Sequence, residues 1–304
     1  MPGQRVSVSV DLDPLSAYHQ IHGLGAPRGV SEAHLTRVAL PRFLELFREL
    51  GVRGTFFVVG RDLDDPEVSR LLKAAAEEGH ELGNHTESHP YGFLDCTPGA
   101  RAAEIDLCQD RLERLGGSRP LGFRAPGYHA DALLLELLAE RGFRYDSSLL
   151  SSAPYYFAKA GVMAAMGLRG DRSGARLHSP LDLLAPREPY HPDPARPWRR
   201  GEMGLWEIPA ASLLGGFPLV GTFLGLLPRT AARLVGLGLS RRPFVTGELH
   251  GIDRVDPRDR GLDALVGRQL GLSAPWARRR SAFAALLGQL LGRGQGAPLC
   301  EQVR

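Results

Sequence analysis

The 304-residue sequence contains only three cysteines, and scanning it finds just two lysines and a single asparagine. Cys96, Cys108 and Cys300 are odd in number and show no C-x-x-C spacing. That excludes a disulfide framework and a cysteine-built zinc site, and it points to a reducing compartment. A strong charge of one sign is also missing. The 37 basic and 34 acidic residues leave a net +3, too mild to indicate nucleic acid, whose footprint is clustered positive charge. The scarcity of lysine (Lys73 and Lys159) and the lone Asn84 belong to a bias toward Arg, Ala, Leu, Gly and Pro that says little about function. The opening residues, MPGQRVSVSVDLD, hold no apolar signal core and run straight into a strand pattern, so the sequence reads as that of an unexported protein. One uncharged run, residues 208–228, is long enough by count to span a bilayer. Pro209, Pro218, Pro228 and four glycines argue against a continuous helix there. Two readings remain for it: a buried strand with a loop, or an apolar lip near the site that dips into a membrane or holds a lipid tail. Arg229, Arg233, Arg241 and Arg242 follow it among apolar residues, as an interfacial helix requires.

The 43% hydrophobic and 23% charged composition fits a globular chain with a large core. Residues 6–12, 55–59, 80–84, 121–125, 143–146, 205–209 and 244–250 read as strands. Residues 31–50, opened by a Ser31 cap and kinked near Pro41, read as a helix, as do 66–78, 100–115 and 130–141. This alternation predicts a parallel α/β fold, a distorted (β/α) barrel of seven or eight strands. The expectation is one domain over residues 1–304, with the motifs inside 5–255 and C-terminal helices in 256–304, two helical patterns lying between 262 and 291. Residues 151–200 show no clear periodicity and are expected to cap one end of the barrel.

Chemistry-bearing residues fall at the C-terminal ends of these strands, the face that carries the active site in a parallel barrel. They are Asp11 and Asp13 on the first strand, His85 and His89 after the third, Arg124 on the fourth, Asp146 on the fifth and His250 on the last. Asp11 and Asp13 share one face of a strand, and carboxylates that close repel unless a cation or an arginine intervenes. The functional reading gives one to a metal and leaves the other free as a base; the bland reading is a solvated strand end. His85 and His89, at i and i+4, come to one side of a helical turn. With one carboxylate they form a two-His, one-Asp set that leaves a coordination position open. Thr86 stands where a zincin motif needs Glu, which disfavours that protease class. Asn84 is expected to orient His85. His19 and His22 are candidates for the pocket wall, and Glu248 and Asp253 for substrate contact. His80, His129, His178 and His191 read as structural or exposed, and Cys96 and Cys108 as buried fillers.

VDLD, NHTESH, FRAPGY, YDSS and ELHGID, in that order, together with TFFVVG and GHELGNH, resemble the motifs of the polysaccharide deacetylase family (NodB homology, carbohydrate esterase family four). The resemblance covers residues 5–255 and implies a distorted (β/α) barrel that hydrolyses the amide of N-acylated sugars with a metal. It implies Asp11 as general base and Asp13, His85 and His89 as metal ligands. Arg124 would hold Asp11, Asp146 would pair with His250 and keep it protonated, and His250 would be the general acid. Tyr128 would lend its backbone N–H to an oxyanion hole, with Pro126 beside it on the substrate side. Two departures stand out. Leu12 separates the two aspartates, which the family usually has adjacent, and the tryptophan that usually follows the Asp146 motif is absent, with Trp206 as its candidate replacement.

The expected function is a cytoplasmic, metal-dependent removal of an N-acetyl group from a carbohydrate. The uncharged 208–228 run and the missing export signal favour a lipid-linked amino sugar at the inner membrane face, with peripheral membrane contact and no nucleic acid. The metal would be a divalent ion, zinc first, with cobalt, nickel or iron accepted by the same donors. One alternative keeps the site and changes the acyl group, a deformylase of a lipid-linked formamido sugar. Another is a non-catalytic carbohydrate- or lipid-binding module on the same fold, against which every acid, base and ligand position is filled.

Overall fold

The computed structural model describes residues 4–168, 170, 173–210, 216–292 and 294–303. Its apolar runs become strands because each is buried almost throughout, as in β1 (Gln4–Leu12) and β2 (Thr55–Val58). α1 (Leu15–Ile21) and α2 (His34–Leu50) lie between them. The chain continues through α3 (Pro66–Glu77), β3 (Glu81–Asn84), α4 (Pro98–Gly116), β4 (Gly122–Phe123), α5 (Ala132–Glu140), β5 (Tyr145–Asp146) and α6 (Ala153–Leu168). An antiparallel pair, β6 (Pro192–Asp193) and β7 (Arg196–Arg200), precedes β8 (Trp206–Glu207). The remainder is α7 (Gly221–Leu224), α8 (Arg229–Leu239), β9 (Phe244–His250), α9 (Trp276–Leu291) and β10 (Gly294–Gly296).

All pairings in the main sheet are parallel, in the order β9-β1-β2-β3-β4-β5-β8. β9 covers one edge of β1 over residues 5–11, while β10 and β2 share the other, at 4–6 and 9–12. The sheet curls so that the Thr246 hydroxyl on β9 donates to Pro209 O just beyond β8, 3.0 Å away. The result is the distorted barrel that the alternation predicts. Aromatic side chains fill its lumen where glycine gives them room. A Cβ on Gly122 would stand 2.0 Å from the Tyr145 ring, and one on Gly83 would stand 2.7 Å from Phe57. The C-terminal segment closes the bottom: Ser7 Oγ donates to Ala297 O at 2.7 Å, and Leu299 N donates to Thr55 Oγ1 at 2.9 Å.

Helix starts follow capping chemistry. Asp65 accepts from Glu67 N at the head of α3, and Asp131 from Leu134 N at the head of α5. Three expectations change. α2 begins at His34 without a side-chain cap, so Ser31 does not open it, and Pro41 lies inside the helix. Residues 151–200 hold a 16-residue helix, α6. Only one of the two C-terminal helical patterns, α9, forms a helix, and residues 262–275 make turns. Part of the uncharged run, residues 211–215, lies outside the described residues. Val220 bridges to Glu248 of β9, and among the described residues no helix is long and apolar enough to cross a membrane.

Just past β2, Asp62 is buried and accepts from Thr36 on α2, with Oδ1 left unpaired. Burial pushes its carboxyl up to about 7, with Glu32, Asp65 and Asp13 adding repulsion against the Thr36 hydrogen bond. A folded-state pKa above the unfolded one gives stability that is complete below about pH 4 and is lost as pH rises toward 7. Asp62→Asn keeps the Thr36 acceptor and removes that loss. In thermal melts the variant should gain about 2–4 kcal/mol over the parent at pH 8 and nothing at pH 4. An equal gain at both pH values would contradict the linkage.

Candidate active site

The register of β1 and β9 places Asp11 opposite His250 at the C-terminal rim. One strand-step further, Asp13 leaves β1 and meets the loop after β3. Its Oδ1 lies 3.2 Å from His85 Nε2 and 3.2 Å from His89 Nε2, while Tyr18 of α1 donates its hydroxyl to Oδ2 at 2.9 Å. His85 Nδ1 pairs with Arg124 O at 2.7 Å, which fixes the ring with Nε2 aimed at Asp13. All three side chains are buried. Burial alone would raise the Asp13 carboxyl, but the charge of His89 and hydrogen bonds from His85 and His89 hold it well below the usual range.

The two histidines do not share a helical turn, as their i, i+4 spacing suggests. Residues 85–89 form a loop in which Thr86 (φ 67°) and His89 (φ 55°) are left-handed. The loop is built from polar contacts. Asn84 Oδ1 accepts from Thr86 N at 2.9 Å, Thr86 Oγ1 accepts from His89 N at 3.0 Å, and Glu104 of α4 takes both Ser88 N and Ser88 Oγ. Asn84 thus shapes the loop backbone and does not bond to the His85 ring. With ligand atoms within 4.8 Å of one another and the His85 ring held by a carbonyl, Asp13, His85 and His89 fit a divalent cation.

Opposite this group, Arg124 Nη1 donates to Asp11 Oδ1 at 2.6 Å, and His250 Nε2 stands 3.9 Å from Asp11 Oδ2. The expected pair of Asp146 with His250 is not formed. Asp146 pairs in register with Glu207 in the barrel wall, with Ser148 Oγ donating to it at 2.6 Å. Burial pushes Asp146 up to about 6 and Glu207 higher, the charge of Asp146 adding to the rise of Glu207. Asp253 takes the place foreseen for Asp146. It accepts from His250 N at 2.8 Å, and its Oδ2 lies 3.8 Å from His250 Nδ1. Burial opposes a charge on His250, but Asp253, Asp13, Asp11 and Glu248 together raise it to about 10. Glu248 is buried between Arg124 and His250, 3.8 Å from each, and does not line the cavity. Tyr128, at φ 67°, places its hydroxyl 3.3 Å from His250 Nε2.

These groups form the floor of a cavity of about 310 Å³. Ala125, Gly127 and Tyr128 line it, whereas Pro126 is buried behind them. His22 reaches the lining; His19 bonds to Gly25 O instead. Trp206 does not replace the missing tryptophan, because it faces the opposite end of the barrel beside Phe244 and Val303. The aromatic wall comes from Tyr155 on α6 and Phe223 on α7. Sequence reasoning missed Tyr18 and the whole of α6. The apolar positions 155, 158, 162 and 166 at helical spacing were the available signal for the helix.

Residues 34–145 match the family model described as polysaccharide deacetylase. A peptidoglycan deacetylase of Helicobacter pylori is 29% identical over 157 residues, half of this chain and 52% of that one. The peptidoglycan deacetylase-like protein FGM2 of Gibberella zeae is 31% identical over 52% of this chain and 47% of its own. Over residues 34–145 the chain is similar to the polysaccharide deacetylase family. It spans about half the length of these curated relatives. A polysaccharide deacetylase-type protein of Mycobacterium smegmatis shares the fold at TM-score 0.56 and 18% identity, over 94% of this chain and 84% of that one.

Proposed function

We propose that this chain is a polysaccharide deacetylase that removes the N-acetyl group from an amino sugar with a zinc ion, the chain acting as one catalytic domain. The observation that carries the reading is the placement of Asp13, His85 and His89 across one cavity floor from Asp11–Arg124 and His250. A divalent cation on Asp13, His85 and His89 would supply Lewis-acid chemistry, polarising a carbonyl oxygen and acidifying a water. Asp11, fixed through one oxygen by Arg124, takes a proton from the water that adds to the acyl carbon. The Tyr128 amide donates to the acyl oxygen as it gains charge. His250, steadied by Asp253, gives a proton to the sugar nitrogen as the C–N bond breaks, leaving acetate and a free amine.

A lipid-linked sugar at the inner face of a membrane is the substrate we favour. The α6 wall of the cavity is apolar, with Val162 exposed on it, and Phe157 and Leu168 of the same helix and Phe217 are also exposed. Leu234 and Leu237 stand exposed on α8. The three cysteines are free, as a reducing compartment leaves them. The test is acid release from a membrane lipid extract by the zinc-loaded protein, with acetate and formate quantified separately. Acetate supports the reading, formate moves the protein to deformylation, and neither acid leaves soluble oligosaccharides as the substrates to try. His85→Ala should lose the bound metal and the turnover together, measured as zinc content and acid release. Full activity without metal in that variant would end the metal assignment.

A further inference from the structure

The mechanism leaves unused two charged groups on the cavity lining, Lys159 and Arg268. Lys159 projects from α6 into the cavity, on the helix face that also carries Tyr155, Val162 and Met163. Its Nζ lies 5.9 Å from the centre of the Tyr155 ring. That ring is 5.6 Å from Tyr128, whose hydroxyl touches His250. The amine therefore stands two aromatic rings from the general acid, inside the space a substrate would fill. Among the described residues no carboxylate pairs with it, and burial among apolar side chains depresses its pKa to about 8. The two carboxylates on the same cavity floor are already engaged, Asp11 by Arg124 and Asp13 by Tyr18 and two histidines. Arg268 also lines the cavity, with its side chain exposed.

A cation held in an apolar wall without a counter-charge is costly, and the cost falls when an anion arrives. A side chain kept for its apolar stem alone would leave its ammonium in open water; here it faces the binding space. Resting on the deacetylase reading, we infer that Lys159, with Arg268 on the same cavity lining, binds an oxyanion, phosphate or carboxylate, carried by the N-acylated sugar. The neutral N-acyl end then lies at Asp11 and His250, and the charged end lies against α6. This separates anionic sugars from neutral oligosaccharides by a contact away from the reacting bond.

The two-lysine sequence permits a direct test. Protein labelled with [ε-13C]lysine shows one signal for Lys73 and one for Lys159, assigned by Lys73→Arg. N-acetylglucosamine 1-phosphate and N-acetylmuramic acid are the anionic probes, and the neutral N-acetylglucosamine dimer is the control. An anionic probe should raise the Lys159 midpoint by about one unit, a tenfold preference of the ammonium for the bound form, and the dimer should not. Whichever probe acts identifies phosphate or carboxylate. A midpoint unmoved by either anion, or moved equally by the dimer, overturns the inference. In kinetics, Lys159→Met should raise KM for the anionic sugar about tenfold with kcat kept and leave the neutral sugar unchanged, and Lys159→Arg should restore it. Equal losses on both sugars would also overturn it. If no sugar yields acetate, the deacetylase reading fails, while the lysine signal of the unmutated protein still decides the anion site.

Discussion

Asp11→Asn should lower kcat by roughly 10²–10⁴-fold while leaving the metal content unchanged. Asp13→Asn should lose both. The sequence left open which carboxylate is base and which is ligand, because two positions apart on a strand they present the same face. The folded geometry breaks that symmetry. Asp13 has one oxygen 3.2 Å from each of two imidazoles and the other under the Tyr18 hydroxyl, so it is the carboxylate placed to serve as a ligand. Asp11 gives one oxygen to Arg124 and turns the other toward His250 across the cavity. Asparagine at position 11 can still accept from Arg124 but cannot take a proton. Zinc analysis beside acid-release rates on both variants distinguishes the roles. Loss of metal in Asp11→Asn, or retained turnover, would reverse or remove the assignment. Retained sugar binding with unchanged function would instead support a binding module.

Much of this site was legible because parallel strands deliver their C-terminal residues to one rim, and strand runs are short-range patterns. Asp11, Asp13, His85, His89, Arg124 and His250 meet there as expected. The partner of His250 was not legible. Asp146 and Asp253 are both acids near a strand end, and only register decides between them. Asp146 stands beside Glu207 in the wall, whereas Asp253 comes back on the turn that follows β9 and caps His250 N. The conformation of the His85–His89 loop was hidden for a similar reason. Its left-handed residues are held by Asn84, Thr86 and Glu104 side chains, contacts that override the helical reading of an i, i+4 spacing. α6 was missed because it packs no residue fully into the core and precedes a proline-rich sequence. Its apolar face is spent on a binding cavity.

Arg124→Met should destabilise the protein by about 3–5 kcal/mol, the cost of leaving buried charge without its partner. The guanidinium is buried and makes four hydrogen bonds. It donates to Asp11 Oδ1 at 2.6 Å, Ser9 Oγ at 3.0 Å, Ser147 O at 2.9 Å and Ser147 Oγ at 2.7 Å, and it lies 4.2 Å over the Phe57 ring. Methionine keeps the stem and the ring contact and abandons Asp11 and Glu248. Burial already pushes Glu248 up to about 7, against the pull of Arg124. Without that pull its folded-state pKa rises further above the unfolded one. The stability lost is then smallest at low pH, where Glu248 is neutral, and grows as pH rises through 7. Urea unfolding at pH 5 and pH 8 reads this directly, with the larger loss expected at pH 8. Adding Glu248→Gln to Arg124→Met should return part of the loss at pH 8 and little at pH 5, because the amide carries no charge to strand. A loss below about 1 kcal/mol, or one independent of pH, would mean the cluster tolerates its charges without Arg124. The arginine would then serve only to aim Asp11, and its replacement would show in turnover alone.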